Sequence, residues 1–189
     1  MLKRLGSILV ILAVGCMIWL ICNIETLSKK YIYPTDYSSY VEIAAEETGL
    51  DKYLIYAVIK TESNFNENAE SDVGARGLMQ LMEDAFDWVK FRMGDERDID
   101  YDHMYDPRYN IEYGSFLIKL LYEEYGDTET AIAAYHSGRG SLNEWLKDPD
   151  LSSDGKTLDD IPSSVTKHYV KKVMTAYEGY TNLYSDEEK

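Results

Sequence analysis

A glutamate continues the apolar stripe of a predicted helix, and this position could do acid–base chemistry. The helix is predicted over residues 52–63, KYLIYAVIKTES. Its apolar positions are Leu54, Ile55, Val58 and Ile59. This spacing is typical of one helix face, and one further turn leads to Glu62. Partial burial and the negative end of the helix dipole both disfavour an ionised carboxyl there, so we expect a raised pKa.

A carboxyl group that is still protonated near neutral pH can donate its proton to a leaving oxygen. That is the general acid needed to break a glycosidic bond. A glutamate at a frayed helix end can also rotate into solvent, and the spacing alone leaves both interpretations open.

Two glycine-containing segments farther along could complete such a site. Residues 71–82, SDVGARGLMQLM, place two glycines in a tight loop before an apolar run that holds one amide, Gln80. Residues 133–140, AAYHSGRG, join a small-residue helix to a glycine turn. Glycine lets the backbone approach a ligand or a neighbouring helix closely, and the Tyr135 hydroxyl could bind a carboxyl or a sugar. Each segment alone is also compatible with ordinary packing and turn chemistry.

The elements that must position these residues are predicted to be helices. No segment shows sustained two-residue alternation, so the fold class is predicted as mostly α. A capping box, Ser39 with Glu42, predicts a first helix that ends near Gly49, and Asp51 is the expected cap of the next. The remaining helices are predicted at 83–93, 107–125, 127–135, 140–147 and 162–180, with residues 94–102 as a loop.

The N-terminus carries a separate signal. Lys3 and Arg4 precede an uncharged run over residues 5–24, which is 20 residues long and therefore long enough to cross a membrane as a helix. A cleaved signal peptide and a lipoprotein signal ending at Cys16 are the alternatives, although the chain stays apolar after Cys16. We expect an uncleaved single-pass anchor with the N-terminus in the cytoplasm, although Lys29 and Lys30 weaken that orientation.

These signals divide the chain into four predicted parts. They are a membrane anchor at 1–30, a linker at 31–37, a helical domain at 38–180 and an acidic tail at 181–189. The net charge of −15 argues against a nucleic-acid partner. No cysteine follows Cys22, which excludes a disulfide framework or a thiolate zinc site in the domain. We expect no metal and no cofactor.

Five short segments stand in a fixed order in the predicted domain. They are Glu62-Ser63; residues 74–80, GARGLMQ; residues 106–114, DPRYNIEYG; Ala134-Tyr135 with Gly138 and Trp145-Leu146; and Ile161-Pro162 with Tyr169-Val170 and Lys172-Val173. Together they resemble the motifs of the lytic transglycosylase (SLT) domain family of bacterial cell-wall enzymes. The resemblance covers roughly residues 38–180 and implies a lysozyme-like helical fold similar to goose-type lysozyme.

The resemblance also implies an activity. Such enzymes cut the β-1,4 bond between N-acetylmuramic acid and N-acetylglucosamine without water, and they leave a 1,6-anhydro ring. The single catalytic glutamate would be Glu62. By match to the motifs, the residues that line the glycan groove would be Ser71, Met79, Gln80, Met82 and Tyr135. His136, which stands where the family has an asparagine, is expected to bind substrate as well. Tyr135 would hold or polarise Glu62, Gln80 would bind sugar amides, and the methionines would form an apolar floor.

The expected partners are the peptidoglycan glycan strand and, through the N-terminal helix, the membrane. The domain is expected on the extracytoplasmic side, as a monomer. Two alternatives stay open, namely a muramidase that uses water on the same fold and a non-catalytic wall-binding or assembly protein. Glu67, Glu70 and Asp72 are near enough in sequence that spacing does not exclude one of them as a second carboxylate.

Three positions depart from the family pattern. His136-Ser137 replaces Asn-Ala, Val165 replaces a glutamate, and Glu83 replaces a proline. Two of these changes remove polar groups expected near the site, which bears on substrate binding and on full activity. Because an exposed histidine titrates near neutrality, we hypothesise that His136 makes the groove sensitive to pH.

Overall fold

The chain divides into two compact units, Met1–Thr35 and Asp36–Lys189. The computed structural model describes residues 2–185, with side chains from residue 12 onward. In the first unit, helix α1 spans Leu2–Leu27 and is followed by a π-helical turn at Ser28–Ile32. The segment Leu12–Ile32 is long and apolar enough to cross a membrane, and none of it is buried. The expected N-terminal apolar helix is therefore present.

The second unit is built from helices. They are α2 (Ser38–Thr48), α3 (Lys52–Glu62), α4 (Glu83–Met93), α5 (Pro107–Tyr125), α6 (Thr128–Ser137), α7 (Arg139–Trp145) and α8 (Ser164–Tyr184). A short 3-10 turn, Tyr101–Tyr105, precedes α5. Within residues 2–185 the only β pairing consists of isolated bridges, at Glu70 with Arg76 and at Arg76 with Leu81. The prediction of a mostly α fold is confirmed.

Helix α3 lies at the centre of the domain. Residues 53–59 are buried without interruption, so this helix is covered on every side rather than along one stripe. It packs on α8, while α5 packs on α2 and α6, and α6 packs on α8. This arrangement brings the C-terminal end of α3 against α8, where the candidate site lies.

The first residues of α3 and α5 are set by side-chain caps. The Asp51 carboxylate accepts a hydrogen bond from the Tyr53 N–H at 2.8 Å and starts α3 as predicted. Asp106 likewise accepts from the Arg108 N–H at 2.9 Å, and α5 has the predicted bounds. These caps satisfy backbone donors that a helix start leaves without partners.

Several predicted boundaries differ from the structure, including those of α6 and α7, which the sequence predicts at 127–135 and 140–147. The capping box at Ser39 is wrong, because α2 begins at Ser38 after Tyr37, which has a left-handed backbone (φ 63°) and no side-chain cap. The predicted loop at 94–102 runs into the 3-10 turn. Helix α8 continues to Tyr184, so the start of the predicted tail at 181–189 is helical, and residues 186–189 lie outside the described residues.

Buried Asn110 on α5 fastens the loop between α3 and α4. Its side-chain oxygen accepts from the Met79 N–H at 2.7 Å, and its amide nitrogen donates to the carbonyls of Arg76 and Met104 at 2.9 and 2.8 Å. Gly77 passes directly over this amide with φ 74°, and a Cβ there would come within 2.4 Å of the Asn110 nitrogen. The glycine and the asparagine of two separate sequence motifs therefore form one structural contact.

We predict that Asn110→Ala destabilises the domain by about 3 kcal/mol, because it leaves the buried Met79 N–H without its acceptor and removes the hydrogen bonds to the Arg76 and Met104 carbonyls, of which the first still accepts from the Leu81 N–H. Chemical denaturation of the full chain in mild detergent measures the effect. The matched control is Asn68→Ala at an exposed position. Equal stability of the two variants would contradict the role assigned to Asn110.

Candidate active site

The carboxyl group of Glu62 is desolvated at the end of α3. Tyr169 on α8 donates a hydrogen bond to Glu62 Oε1 at 2.5 Å, whereas Oε2 has no hydrogen-bond partner among the described residues. Burial raises the pKa of Glu62 from the ordinary value of 4.5 to about 7, and it outweighs the Tyr169 hydrogen bond and the charge of Lys172, which both lower it. Glu62 therefore does not rotate freely into solvent, and near neutrality it exchanges between its acid and its base forms.

Two tyrosines flank this carboxyl group, and only one of them binds it. The Tyr135 hydroxyl donates to the Met79 carbonyl at 2.6 Å, so it does not hold Glu62 directly. Burial, and after it the charge of Glu62, raise the pKa of both Tyr135 and Tyr169 well above the ordinary value. Both phenols thus stay protonated, and the residue that holds Glu62 is Tyr169 rather than the expected Tyr135.

Sequence reasoning missed this role of Tyr169, although its motif was noted. A usable signal was present in α8, whose buried positions include Thr166, Tyr169, Val170 and Val173. A tyrosine on the buried face of a helix must find an acceptor for its hydroxyl. The pattern did not show which acceptor this would be.

The loop over residues 71–82 is tied to the end of α3. The Ser63 hydroxyl donates to the Leu78 carbonyl at 2.8 Å. Gln80 has a left-handed backbone (φ 50°), and its amide nitrogen donates to the carbonyls of Ala69 and Gly77 at 3.1 and 2.9 Å. The nitrogen of Gln80 therefore shapes the loop, and only its side-chain oxygen, which has no partner in the described part of the chain, is left for a ligand.

The two methionines of this loop occupy different environments. Met79 is fully buried, and it packs so closely on Gly114 that a Cβ at that glycine would lie 2.5 Å from the Met79 sulfur. Its side chain belongs to the core rather than to a groove surface. Met82 is 42% exposed and could contact a ligand. The half-buried Ser71 hydroxyl accepts a hydrogen bond from the Ala75 N–H at 2.9 Å and shapes its own turn.

His136 joins the site through Tyr169. Its exposed imidazole stacks on the Tyr169 ring, with centroids 4.3 Å apart and planes tilted by 31°. The Nδ1 atom lies 3.2 Å from the Thr166 hydroxyl. Partial burial of the ring lowers the pKa of His136. Glu62, Tyr135, Tyr169 and His136 thus form one cluster at the junction of α3, α6 and α8.

The other departures from the family pattern have simple surroundings. Val165 is 66% exposed, and the Ser137 hydroxyl donates to the Ala133 carbonyl at 2.7 Å within its own helix. Glu83 is the first residue of α4, where a negative charge stabilises the helix dipole. The proline expected at this position is therefore replaced by a residue that starts the helix in another way.

Two of the three candidate second carboxylates are engaged elsewhere. Glu67 accepts a hydrogen bond from Tyr37 at 2.9 Å, and Glu70 accepts one from Tyr105 at 2.8 Å. The third, Asp72, is exposed. Among the described residues, no group of three or more His, Cys, Asp or Glu side chains could hold a metal ion.

The raised pKa of Glu62 predicts how stability depends on pH. In the unfolded chain the carboxyl ionises near 4.5, and in the folded chain near 7. The stability linked to this group is therefore complete below 4.5 and is lost as the pH rises through about 7. Glu62→Gln should stabilise the protein by up to about 3 kcal/mol at about pH 8, and this gain should vanish at about pH 4.

Denaturant unfolding of the full chain in mild detergent at both pH values measures this gain. Glu46→Gln, at an exposed position of α2, is the control for the loss of one negative charge. A Glu62→Gln variant that is no more stable than the wild type on the alkaline side would show that Glu62 is not desolvated.

The comparisons with known proteins identify the family of this chain. The Transglycosylase SLT domain family matches residues 39–156. The chain is 35% identical over 118 residues to a transglycosylase of Enterobacteria phage PRD1, covering 62% of this chain and 40% of that protein. It is 31% identical over 179 residues to membrane-bound lytic murein transglycosylase C of Cronobacter sakazakii, covering 84% and 48%.

Solved structures show the same fold. The 70 kDa soluble lytic transglycosylase of Escherichia coli aligns with a TM-score of 0.70 at 25% identity, over 81% of this chain and 25% of that one. An inactive glutamate-to-glutamine mutant of the lytic transglycosylase Slt from Pseudomonas aeruginosa aligns with a TM-score of 0.68 at 25% identity, over 89% and 28%. The chain spans less than half the length of each of these relatives. With a family match over residues 39–156 and a lytic transglycosylase fold around Glu62, the chain belongs to the Transglycosylase SLT domain family.

Proposed function

We propose that this protein is a peptidoglycan lytic transglycosylase. It cleaves the β-1,4 bond between N-acetylmuramic acid and N-acetylglucosamine and leaves 1,6-anhydromuramic acid ends. The observation that carries this proposal is the desolvated Glu62 carboxyl on the Tyr169 hydroxyl, with a pKa raised to about 7 by burial. The names of the relatives support it.

A single carboxyl group can perform both proton transfers. In the first step protonated Glu62 gives its proton to the glycosidic oxygen, and the bond between that oxygen and the muramic acid C1 breaks. In the second step the Glu62 carboxylate takes the proton of the C6 hydroxyl as that oxygen bonds to C1 and closes the anhydro ring. Glu62 ends protonated, as it began. A pKa near the working pH suits a group that must act as acid and then as base.

Tyr169 and Lys172 support the intermediate stage. After the first transfer Glu62 is a desolvated carboxylate, and such a charge is costly unless it is hydrogen-bonded or paired. The Tyr169 hydroxyl donates to it directly, and the positive charge of Lys172 also favours the ionised form. A hydrolysis with two carboxylates would need a second acid about 5–10 Å away. The groups that act on the pKa of Glu62 are Tyr169 and Lys172, and none of them is a carboxylate, which supports the route with one carboxylate.

The proposed glycan groove uses fewer side chains than the motifs implied. Met82, His136 and the free oxygen of Gln80 are the groups we assign to sugar contacts, since all three are at least partly accessible. Ser71 is assigned to the same groove by its place in the loop. Met79 contributes through its carbonyl, which positions Tyr135, and not through its buried side chain.

We further propose that the chain acts at the membrane. The apolar helix over Leu12–Ile32 and the relatives named membrane-bound lytic murein transglycosylase support an anchored protein. Peptidoglycan is extracytoplasmic, so we place the catalytic domain on that side of a single membrane span. That the protein is a monomer stays a prediction.

The activity test uses the full chain in detergent micelles with purified peptidoglycan, and mass spectrometry of the released muropeptides. The wild type should release fragments with anhydromuramic acid ends. Glu62→Gln should lower the rate by about 10²–10⁴-fold, because the general acid and base is lost. One solved relative is described as an inactive mutant with the same type of substitution, and Glu46→Gln is the matched control.

Two results would overturn the assignment. Fragments with reducing ends, each one water heavier than the anhydro form, would show a muramidase. Binding to peptidoglycan without any released fragment would show a non-catalytic wall-binding protein.

A further inference from the structure

The exposed His136 ring covers a buried ring of the active site. Tyr169 is only 8% exposed, and the His136 imidazole stacks on it with centroids 4.3 Å apart. His136 is itself exposed, so its ring shields from solvent the face of Tyr169 on which it stacks. The Tyr169 hydroxyl in turn lies 2.5 Å from Glu62 Oε1. Two successive contacts therefore join the exposed His136 through Tyr169 to the Glu62 carboxyl group.

A second contact fixes the covering ring. His136 Nδ1 lies 3.2 Å from the hydroxyl of Thr166, which is buried and stands one helical turn before Tyr169 on α8. A stacked face and a polar edge contact together restrict both the position and the rotation of the imidazole. The asparagine typical of the family is a smaller planar group and could not cover the Tyr169 ring to the same extent.

We propose that His136 is a positioning residue that keeps water away from the Glu62–Tyr169 pair and thereby extends activity to higher pH. The inference rests on the proposed function, since it concerns the same carboxyl group. Desolvation favours the protonated carboxyl, and only protonated Glu62 can begin the reaction. Admitting water would let Glu62 ionise at lower pH and would end the activity earlier on the alkaline side.

The charged and titratable groups around Glu62 do not account for its raised pKa, which comes from the exclusion of water. Tyr169 and Lys172 on α8 both lower its pKa, and burial is the larger influence, in the opposite direction. On α6, Tyr135 is close enough for the charge of Glu62 to raise its pKa, whereas His136 contacts Tyr169. Partial burial of the ring lowers the pKa of His136, so the imidazole is neutral above neutral pH. His136 therefore acts as a cover and not as a charge.

The test compares profiles of turnover against pH for the full chain on peptidoglycan. In His136→Asn the fall in turnover on the alkaline side of the profile (the alkaline limb) should occur about one pH unit lower than in the wild type. At a pH above this fall, the rate of the variant should therefore be about tenfold lower. In His136→Phe the limb should stay in place, since the stacked ring is kept while the titrating group is removed. His168→Asn, at an exposed position of α8, is the matched control and should leave the profile unchanged.

The variant Tyr169→Phe tests whether the alkaline limb of the pH profile reports the ionisation of Glu62. It removes a hydrogen bond that lowers the pKa of Glu62, so its limb should move up rather than down. A limb of His136→Asn at the wild-type position would overturn the proposal. A limb displaced upward would overturn it as well, because it would mean that the imidazole held the Tyr169 hydroxyl in place rather than kept water out.

An experiment without turnover separates this inference from the proposed function. If the wild type releases no fragments, the proposed function fails, and the stability gain of Glu62→Gln at alkaline pH is measured instead, with and without His136→Asn. The gain in the ratio of folded to unfolded protein should be about tenfold smaller in the His136→Asn background, because lowering the pKa of Glu62 by about one changes that ratio about tenfold. An equal gain in both backgrounds would overturn the role of His136.

Discussion

A carboxyl group held partly out of water is the constraint on which this structure depends. Glu62 ends the most deeply buried helix of the domain, and its neighbours supply one hydroxyl and one nearby positive charge. This hydroxyl and this charge do not compensate for the loss of water around the carboxylate, so the pKa of Glu62 stays above its ordinary value. A protein selected for stability alone would place glutamine or an apolar residue there. The glutamate makes the position unfavourable for folding above neutral pH and suitable for moving a proton.

The rest of the domain keeps this group in place by fixing backbone rather than by adding charge. Asn110 binds three backbone groups of the loop and of the turn before α5. Gly77 and Gly114 allow the loop to approach α5 more closely than any side chain would permit. The loop then presents the Met79 carbonyl to Tyr135. Much of what the sequence motifs share is therefore the geometry of a loop, and only a few of their residues are left to meet a substrate.

The sequence predicted the acid and most of the helices, because both follow from local patterns. The stripe that ends at Glu62 and the caps at Asp51 and Asp106 are properties of neighbouring residues. Which tyrosine binds Glu62 does not follow from a local pattern, because Tyr135 and Tyr169 are both desolvated phenols. Which of them binds Glu62 depends on the position of the Met79 carbonyl, a backbone group set by Asn110 on another helix. The burial of the Met79 side chain has the same origin, since it follows from the packing of the loop on Gly114.

The central claim concerns the protonation of one side chain, so its direct test is the titration of that side chain. Carbon-13 NMR of the glutamate carboxyl groups, with the Glu62 signal assigned by its absence in Glu62→Gln, follows the ionisation of Glu62 in the intact protein. The structure predicts a midpoint of about 7. A midpoint at the ordinary value of 4.5 would contradict the account, because Glu62 would then be an ordinary solvated carboxylate with no proton to give near neutral pH.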